Sequence, residues 1–132
     1  MEAGDFMKKK AVAWLPYGVS PALTMVLLEL IYAGWGLFPF GQLTVSWCDM
    51  TQQVAPLLAQ LQDVLLGKAN LLFSMQNAGG MNFWGVFLFF LSSPFSFSVA
   101  FVDKADLLQW MNVLVAVKLT LSAFTAVLLF RK

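Results

Sequence analysis

Three long apolar runs dominate the chain and predict helices that cross a membrane. They extend over residues 11–37, 83–102 and 107–130. A helix needs about 20 apolar residues to cross a hydrocarbon layer, and each run has roughly that length. The second run contains Pro94, which predicts a helix broken near that residue, or alternatively a re-entrant element. The pattern indicates an all-α integral membrane protein.

A polar segment, residues 38–82, separates the first two runs. Its prolines, glycines and amides are not tolerated in contact with lipid, so we expect the segment to lie outside the hydrocarbon layer. Within it, residues 52–66 carry apolar side chains on one helical face, which is typical of an amphipathic helix in the membrane interface. The chain is thus predicted to be a single membrane domain, with about three transmembrane helices and one interfacial helix.

The head of the chain, residues 1–10, ends in three consecutive lysines. By the positive-inside rule it is predicted to be cytoplasmic, which puts residues 38–82 on the opposite side of the membrane. A basic head before an apolar run also describes a signal peptide. However, the first run exceeds the usual apolar length of about 7–15 residues, and no small-x-small cleavage site follows it.

The composition agrees with a membrane protein and excludes some functions. The chain is 60% hydrophobic and 11% charged, whereas soluble domains are about 45–50% apolar and about 25% charged. The apolar content makes membrane lipid the expected partner, and a net charge of +1 argues against nucleic acid. Because histidine is absent and Cys48 is the single cysteine, His-based catalysis and an intramolecular disulfide are excluded.

Three ionisable residues are candidates for chemistry. Asp49 precedes the interfacial helix and can be read as a general base or ion ligand, or as a solvated loop acid or helix cap. Glu29 and Lys118 lie within predicted membrane helices, where charge is costly and usually faces a partner or a cavity. The two side chains are candidates to pair with each other, and Lys118 is also a candidate to bind phosphate. The plainer alternative is that they extend toward the membrane interface or form a purely structural pair.

Six short motifs, in order, resemble the N-terminal part of the YfhO family of bacterial multipass membrane proteins. They are FPFG at 38–41, DMTQQ at 49–53, LFS at 72–74, GGMN at 79–82, SPF at 93–95 and VKL at 117–119. The resemblance implies a membrane glycosyltransferase of the GT-C-like type. Such an enzyme uses a polyprenyl-phosphate sugar at the outer face of the bacterial cytoplasmic membrane to modify a cell-envelope polymer such as lipoteichoic acid.

The resemblance also implies site residues. Asp49 matches the family's loop acid, which acts as a base or as a ligand of a divalent metal. The positions implied to bind substrate are Gln53, Ser74, Asn82 and Lys118. The chain departs from the family pattern where tyrosine is usual, and the hydroxyls are lost at Val54, Phe89 and Phe90.

Members of the family are several times longer than this chain. We therefore expect an N-terminal fragment or module, whether a truncated gene, a fragment or one half of a split protein. It is expected to be inactive alone and to partner the missing C-terminal part. The alternative is a small non-catalytic membrane scaffold or assembly protein.

Overall fold

The computed structural model describes residues 2–45 and 49–130, with side chains from residue 14 onward; Cys48 therefore lies outside the described residues. The described residues contain four α-helices: α1 (Glu2–Trp35), α2 (Ala55–Leu65), α3 (Phe83–Val86) and α4 (Leu107–Phe130). The described residues form isolated β-bridges but no strand. The predicted all-α class is confirmed.

Two helices among the described residues are long and apolar enough to cross a membrane. They are Trp14–Trp35, of 22 residues, and Lys104–Phe130, of 27 residues. A third candidate is the pair Phe83–Leu91 and Pro94–Phe101, whose two parts are bent by 109° and form either a broken span or a re-entrant loop. The chain is therefore an all-α membrane protein with two or three candidate spans.

The chain divides into two compact units. Unit 1 comprises residues 1–43 and 112–132, and unit 2 comprises residues 44–111. In unit 1, α1 pairs with the later part of α4: Tyr17 contacts Phe124 edge to face, and Ser20 Oγ donates to the carbonyl oxygen of Ala123 at 3.5 Å. α1 from Trp14 onward and α4 from Val117 onward expose many apolar side chains, which suits a lipid solvent.

Threonine hydroxyl groups on these two helices hydrogen-bond to their own helix. Thr24 donates to the carbonyl of Ser20 at 3.0 Å, and Thr120 to that of Ala116 at 2.9 Å. Each hydroxyl donates to a backbone carbonyl one turn earlier in its own helix, so it needs neither water nor a second helix as a partner. These polar residues are therefore compatible with an apolar environment.

The FPFG motif forms a closed loop after α1. Leu43 N donates to the Gly36 carbonyl at 3.0 Å, and Phe38 N donates to the Leu43 carbonyl at 2.8 Å. A Cβ atom at Gly41 would collide with the Gly36 carbonyl, so only glycine fits there. The buried Asn112 side chain contacts the Phe38 and Leu43 carbonyls, at 3.4 and 3.3 Å, and its own carbonyl accepts from Tyr32 Oη at 2.9 Å.

Unit 2 is built around the apolar face of α2. Its core consists of eight buried side chains: Leu57, Leu58, Leu61, Phe83, Leu91, Val99, Leu107 and Met111. Pro56 occupies the first turn of α2, where its missing N–H is harmless. The amphipathic pattern of this segment is thus matched by a protein core, and the position of α2 at a membrane interface stays a prediction.

The second apolar run bends where the sequence changes from phenylalanines to Ser-Ser-Pro. Phe87–Leu91 is a π-helical segment, Ser93 is extended, and Pro94–Phe101 is a 3₁₀ helix. Proline lacks an N–H and pushes the preceding residue out of the helical region, which accounts for the break at this point. The break lies at the residue that the sequence indicated.

Ala78 adopts a left-handed conformation, with φ of 50°, in the loop before α3. An L-residue there carries a steric cost that glycine does not have. We expect Ala78→Gly to stabilise unit 2 by about 0.5–1 kcal/mol, the strain relief being partly offset by greater freedom of the unfolded chain. The measurement is the free energy of unfolding in detergent. Ala59→Gly, within α2, is the matched control and should lower the free energy of unfolding by about 1 kcal/mol. A lower free energy of unfolding in both variants would contradict the strain inferred at Ala78.

Candidate functional site

A pocket of about 280 Å³ in unit 2 contains two glutamines of the DMTQQ motif. It lies between the π-helical turn Met50–Val54, the first turn of α2, the loop before α3 and the helix that follows. Its lining residues are Gln52, Gln53, Pro56, Leu57, Asn77, Ala78, Met81, Val86 and Phe90. We call it the glutamine pocket. Its amides can donate to and accept from hydroxyl groups, while its other walls are mainly apolar.

Asp49 directly precedes this π-helical turn. It is exposed, and its side chain makes no capping hydrogen bond to the turn. The helix-cap interpretation is therefore not supported, and the carboxylate is accessible. Gln53 lies four residues later, about one helical turn on, so Asp49 and Gln53 share a side of the segment. π-helical turns are rare and are often found at functional sites.

The loop from Ser74 to Met81 forms one wall of the glutamine pocket. The backbone N–H groups of Ser74 and Met81 each donate to the other's carbonyl at 2.9 Å, and buried Ser74 Oγ accepts from Gln76 N at 3.1 Å. Asn77 Nδ2 donates to Oε1 of the buried Gln60 at 2.6 Å, which ties the loop to α2. Ser74 thus helps to hold the pocket wall, and its binding of substrate stays a proposal.

Asn82 starts α3. Its Oδ1 accepts a hydrogen bond from the backbone N of Trp84 at 3.0 Å, as an N-terminal cap does. The side chain is exposed, so the cap does not exclude a contact with a ligand. The preceding Gly79 and Gly80 both have positive φ, of 73° and 124°, which glycine adopts without the steric cost of a side chain.

The comparison with protein families decides the relationship of the chain. Residues 20–132 match the family described as "Bacterial membrane protein YfhO". This chain belongs to the YfhO family. Neither the curated proteins nor the solved structures gave a match. The resemblance inferred from the six motifs is therefore confirmed, and the YfhO match extends over residues of both units.

The YfhO motif residues are divided between the units. Asp49, Gln53, Ser74 and Asn82 belong to unit 2, whereas Lys118 belongs to unit 1, where it is exposed on α4. Glu29 is the single acid lining a cleft of about 390 Å³ in unit 1, among apolar residues of α1 and α4. A Glu29–Lys118 pair stays a prediction.

The metal implied by the YfhO resemblance finds no complete set of protein ligands. In the part of the chain that the structure describes, no three side chains from Asp, Glu, Cys and His come together. Metal centres made by protein alone use several such ligands. The described residues therefore form no metal centre by themselves, and a divalent metal at Asp49 stays a prediction that would need substrate phosphate and water as further ligands.

Two buried amides of α2 were not singled out from the sequence. Gln60 holds the pocket loop through Asn77, and Gln62 Nε2 donates to the carbonyls of Val99, at 2.7 Å, and Val102. Gln62 follows Leu58 by four residues, a spacing that puts both on one helical face. That spacing was the available signal that Gln62 faces the core.

Proposed function

We propose that this chain acts as the N-terminal module of a membrane glycosyltransferase, which uses a polyprenyl-phosphate sugar to modify a cell-envelope polymer. The observation that carries the proposal is the exposed Asp49, which makes no cap and lies four residues before Gln53 of the glutamine pocket, in a chain of the YfhO family. An accessible carboxylate can remove a proton, and the amides of Gln52 and Gln53 in the pocket can bind sugar hydroxyls, which are the two tasks of glycosyl transfer.

The reaction follows from the chemistry of the carboxylate. Asp49 accepts the proton of an acceptor hydroxyl while that oxygen bonds to the anomeric carbon of the donor sugar. The bond from the anomeric carbon to polyprenyl phosphate breaks, and the phosphate leaves with the electron pair. Gln53 is proposed to hydrogen-bond sugar hydroxyls, because its amide both donates and accepts.

Three further residues of the proposed site have other roles. The side-chain oxygens of Ser74 and Asn82 accept hydrogen bonds from the backbone N–H groups of Gln76 and Trp84, and these bonds shape the wall and the end of the pocket loop. Lys118 is a separate proposal as a phosphate ligand, because a lysine ammonium is a compact cation with three donors. Membrane lipid and the donor's polyprenyl chain are the partners that this function requires.

The experiment is complementation of a bacterial strain that lacks its YfhO-family protein. The chain is expressed together with the C-terminal part of a family member, supplied as a separate polypeptide, and sugar on the envelope polymer is measured. We expect both polypeptides to be needed. No transfer from well-expressed, membrane-inserted chains would contradict the proposal, and a stable homo-oligomer without sugar-lipid binding would favour a scaffold.

The topology has its own test. We propose a bacterial cytoplasmic membrane location with the N-terminus in the cytoplasm, because Lys8, Lys9 and Lys10 precede the first span. An impermeant thiol reagent added to intact cells should label Cys48. The control is Lys10→Cys in a Cys48→Ser chain, which should react only after lysis. The reverse labelling pattern would overturn the orientation.

A further inference from the structure

A second, more polar cavity of about 450 Å³ lies in unit 2, at the other end of α2. We call it the boundary cavity. The lining residues that matter here are Gln62, Asp63, Lys68, Phe101, Asp103 and Lys104. Its volume falls within the usual range for small-molecule sites, about 300–1,000 Å³. None of these residues belongs to the site proposed for glycosyl transfer.

Gln62 supplies the first indication of a ligand. Its side chain is 4% exposed, and its Nε2 donates to two backbone carbonyls, those of Val99 and Val102. Carbonyl oxygens only accept, so these bonds fix the orientation of the amide. Its Oε1 is buried and has no hydrogen-bond partner among the described residues. Such an acceptor is costly to bury, and a hydrogen-bond donor placed in the cavity would satisfy it.

The charges of the boundary cavity balance. Lys104 Nζ binds both oxygens of Asp63, at 2.6 and 2.5 Å, and neutralises that acid. Lys68 and Asp103 are exposed and form no salt bridge within the described residues. The cavity therefore offers one available cation and one available anion besides the orphan acceptor. This combination favours a zwitterion over a simple anion or cation.

The position of the cavity indicates what kind of zwitterion. Lys104 is the first residue of the candidate membrane span Lys104–Phe130. Because Lys104 also lines the cavity, the cavity lies at the polar start of that span. Phe101, in the lining, is 91% exposed and presents an aromatic ring where water or lipid is the neighbour. Aromatic side chains are enriched at the level of lipid headgroups.

We propose that the boundary cavity binds the headgroup of a zwitterionic phospholipid that has a primary ammonium, of the phosphatidylethanolamine class. The ammonium donates to Gln62 Oε1 and to Asp103, Lys68 binds the phosphate, and an acyl chain packs on Phe101. A choline headgroup has no N–H and leaves the Gln62 acceptor unsatisfied. This inference goes beyond the proposed glycosyl transfer and does not rest on it.

The test is native mass spectrometry of the full chain, titrated with each lipid in detergent. We expect phosphatidylethanolamine to bind about tenfold more tightly than phosphatidylcholine with the same acyl chains, the effect of about one charge-assisted hydrogen bond. Gln62→Met combined with Asp103→Asn removes both acceptors of the ammonium and should lower this ratio to about twofold or less, whereas Lys68→Gln removes a phosphate contact common to both lipids and should weaken their binding alike. Asp106→Asn removes an exposed acid that does not line the cavity, and should leave the ratio unchanged.

Several results would overturn the inference. Equal binding of the two lipids would mean that Gln62 Oε1 needs no ammonium, as when a buried water satisfies it. An ethanolamine preference that persists in the double variant would place the lipid elsewhere. Displacement of the lipid by an equal concentration of glycerophosphoethanolamine would make the ligand a soluble headgroup. Because these readouts measure binding, they are independent of sugar transfer.

Discussion

Replacing Asp49 with asparagine is expected to lower sugar transfer about a hundredfold or more in the complementation assay, since general acid–base groups contribute about 10²–10⁴-fold. The side chain keeps nearly the same shape but no longer accepts a proton from the acceptor hydroxyl. Because Asp49 is exposed and makes no cap, the change should not alter folding. The measurement is sugar incorporated into the envelope polymer per unit of membrane-inserted chain.

The matched control is Asp106→Asn, which makes the same chemical change at another exposed acid of unit 2. It should leave transfer at the wild-type level. Wild-type transfer by the Asp49 variant would remove Asp49 from the reaction. Equal losses in both variants would mean that negative charge in general, not a base at residue 49, supports activity.

Phe83→Ala is expected to be the most damaging core substitution, lowering the free energy of unfolding of unit 2 by about 3–5 kcal/mol. Phe83 is 0% exposed and is among the largest fully buried side chains among the described residues. It belongs to the core cluster that also contains leucines of α2 and, on the two sides of the Pro94 break, Leu91 and Val99. Its loss leaves a cavity that the core closes only in part. Unfolding in detergent, followed by hydrogen exchange of α2, measures the effect.

Phe101→Ala provides the comparison for the same deletion at the surface. Phe101 is 91% exposed, so truncation should change stability by less than about 0.5 kcal/mol. Both variants lose the same ring atoms, so the difference between their changes in the free energy of unfolding measures the contribution of burial. Similar effects at both positions would contradict the core described for unit 2.

The long helices were predictable because their signal is local. An apolar run needs only its own composition to indicate a helix in lipid, and α4 covers the same residues, Leu107–Phe130, as the third predicted run. The break before Pro94 was predictable for a similar reason, since proline acts on its immediate neighbours. The family followed from motif order, and the match over residues 20–132 confirms it.

The polar contacts of the core were not predictable because their partners are distant in sequence. Gln62 bonds to carbonyls 37 and 40 residues away, and Tyr32 bonds to Asn112 at a separation of 80 residues. A single sequence gives the spacing of an amide on its helix, but not the carbonyl that it reaches. The π-helical turn beside Asp49 was also missed, because amino-acid propensities distinguish it poorly from an α-helical turn.

The hydroxyl groups of α1 and α4 have a consequence for how these helices tolerate change. Thr24 and Thr120 bond within their own helix, so alanine or valine at either position leaves no other segment without a partner. Asn112 differs, because its amide holds carbonyls of the loop after α1. Substitution of Thr24 or Thr120 should therefore change the stability of this protein little, whereas substitution of Asn112 requires a compensating change in the loop that its side chain holds.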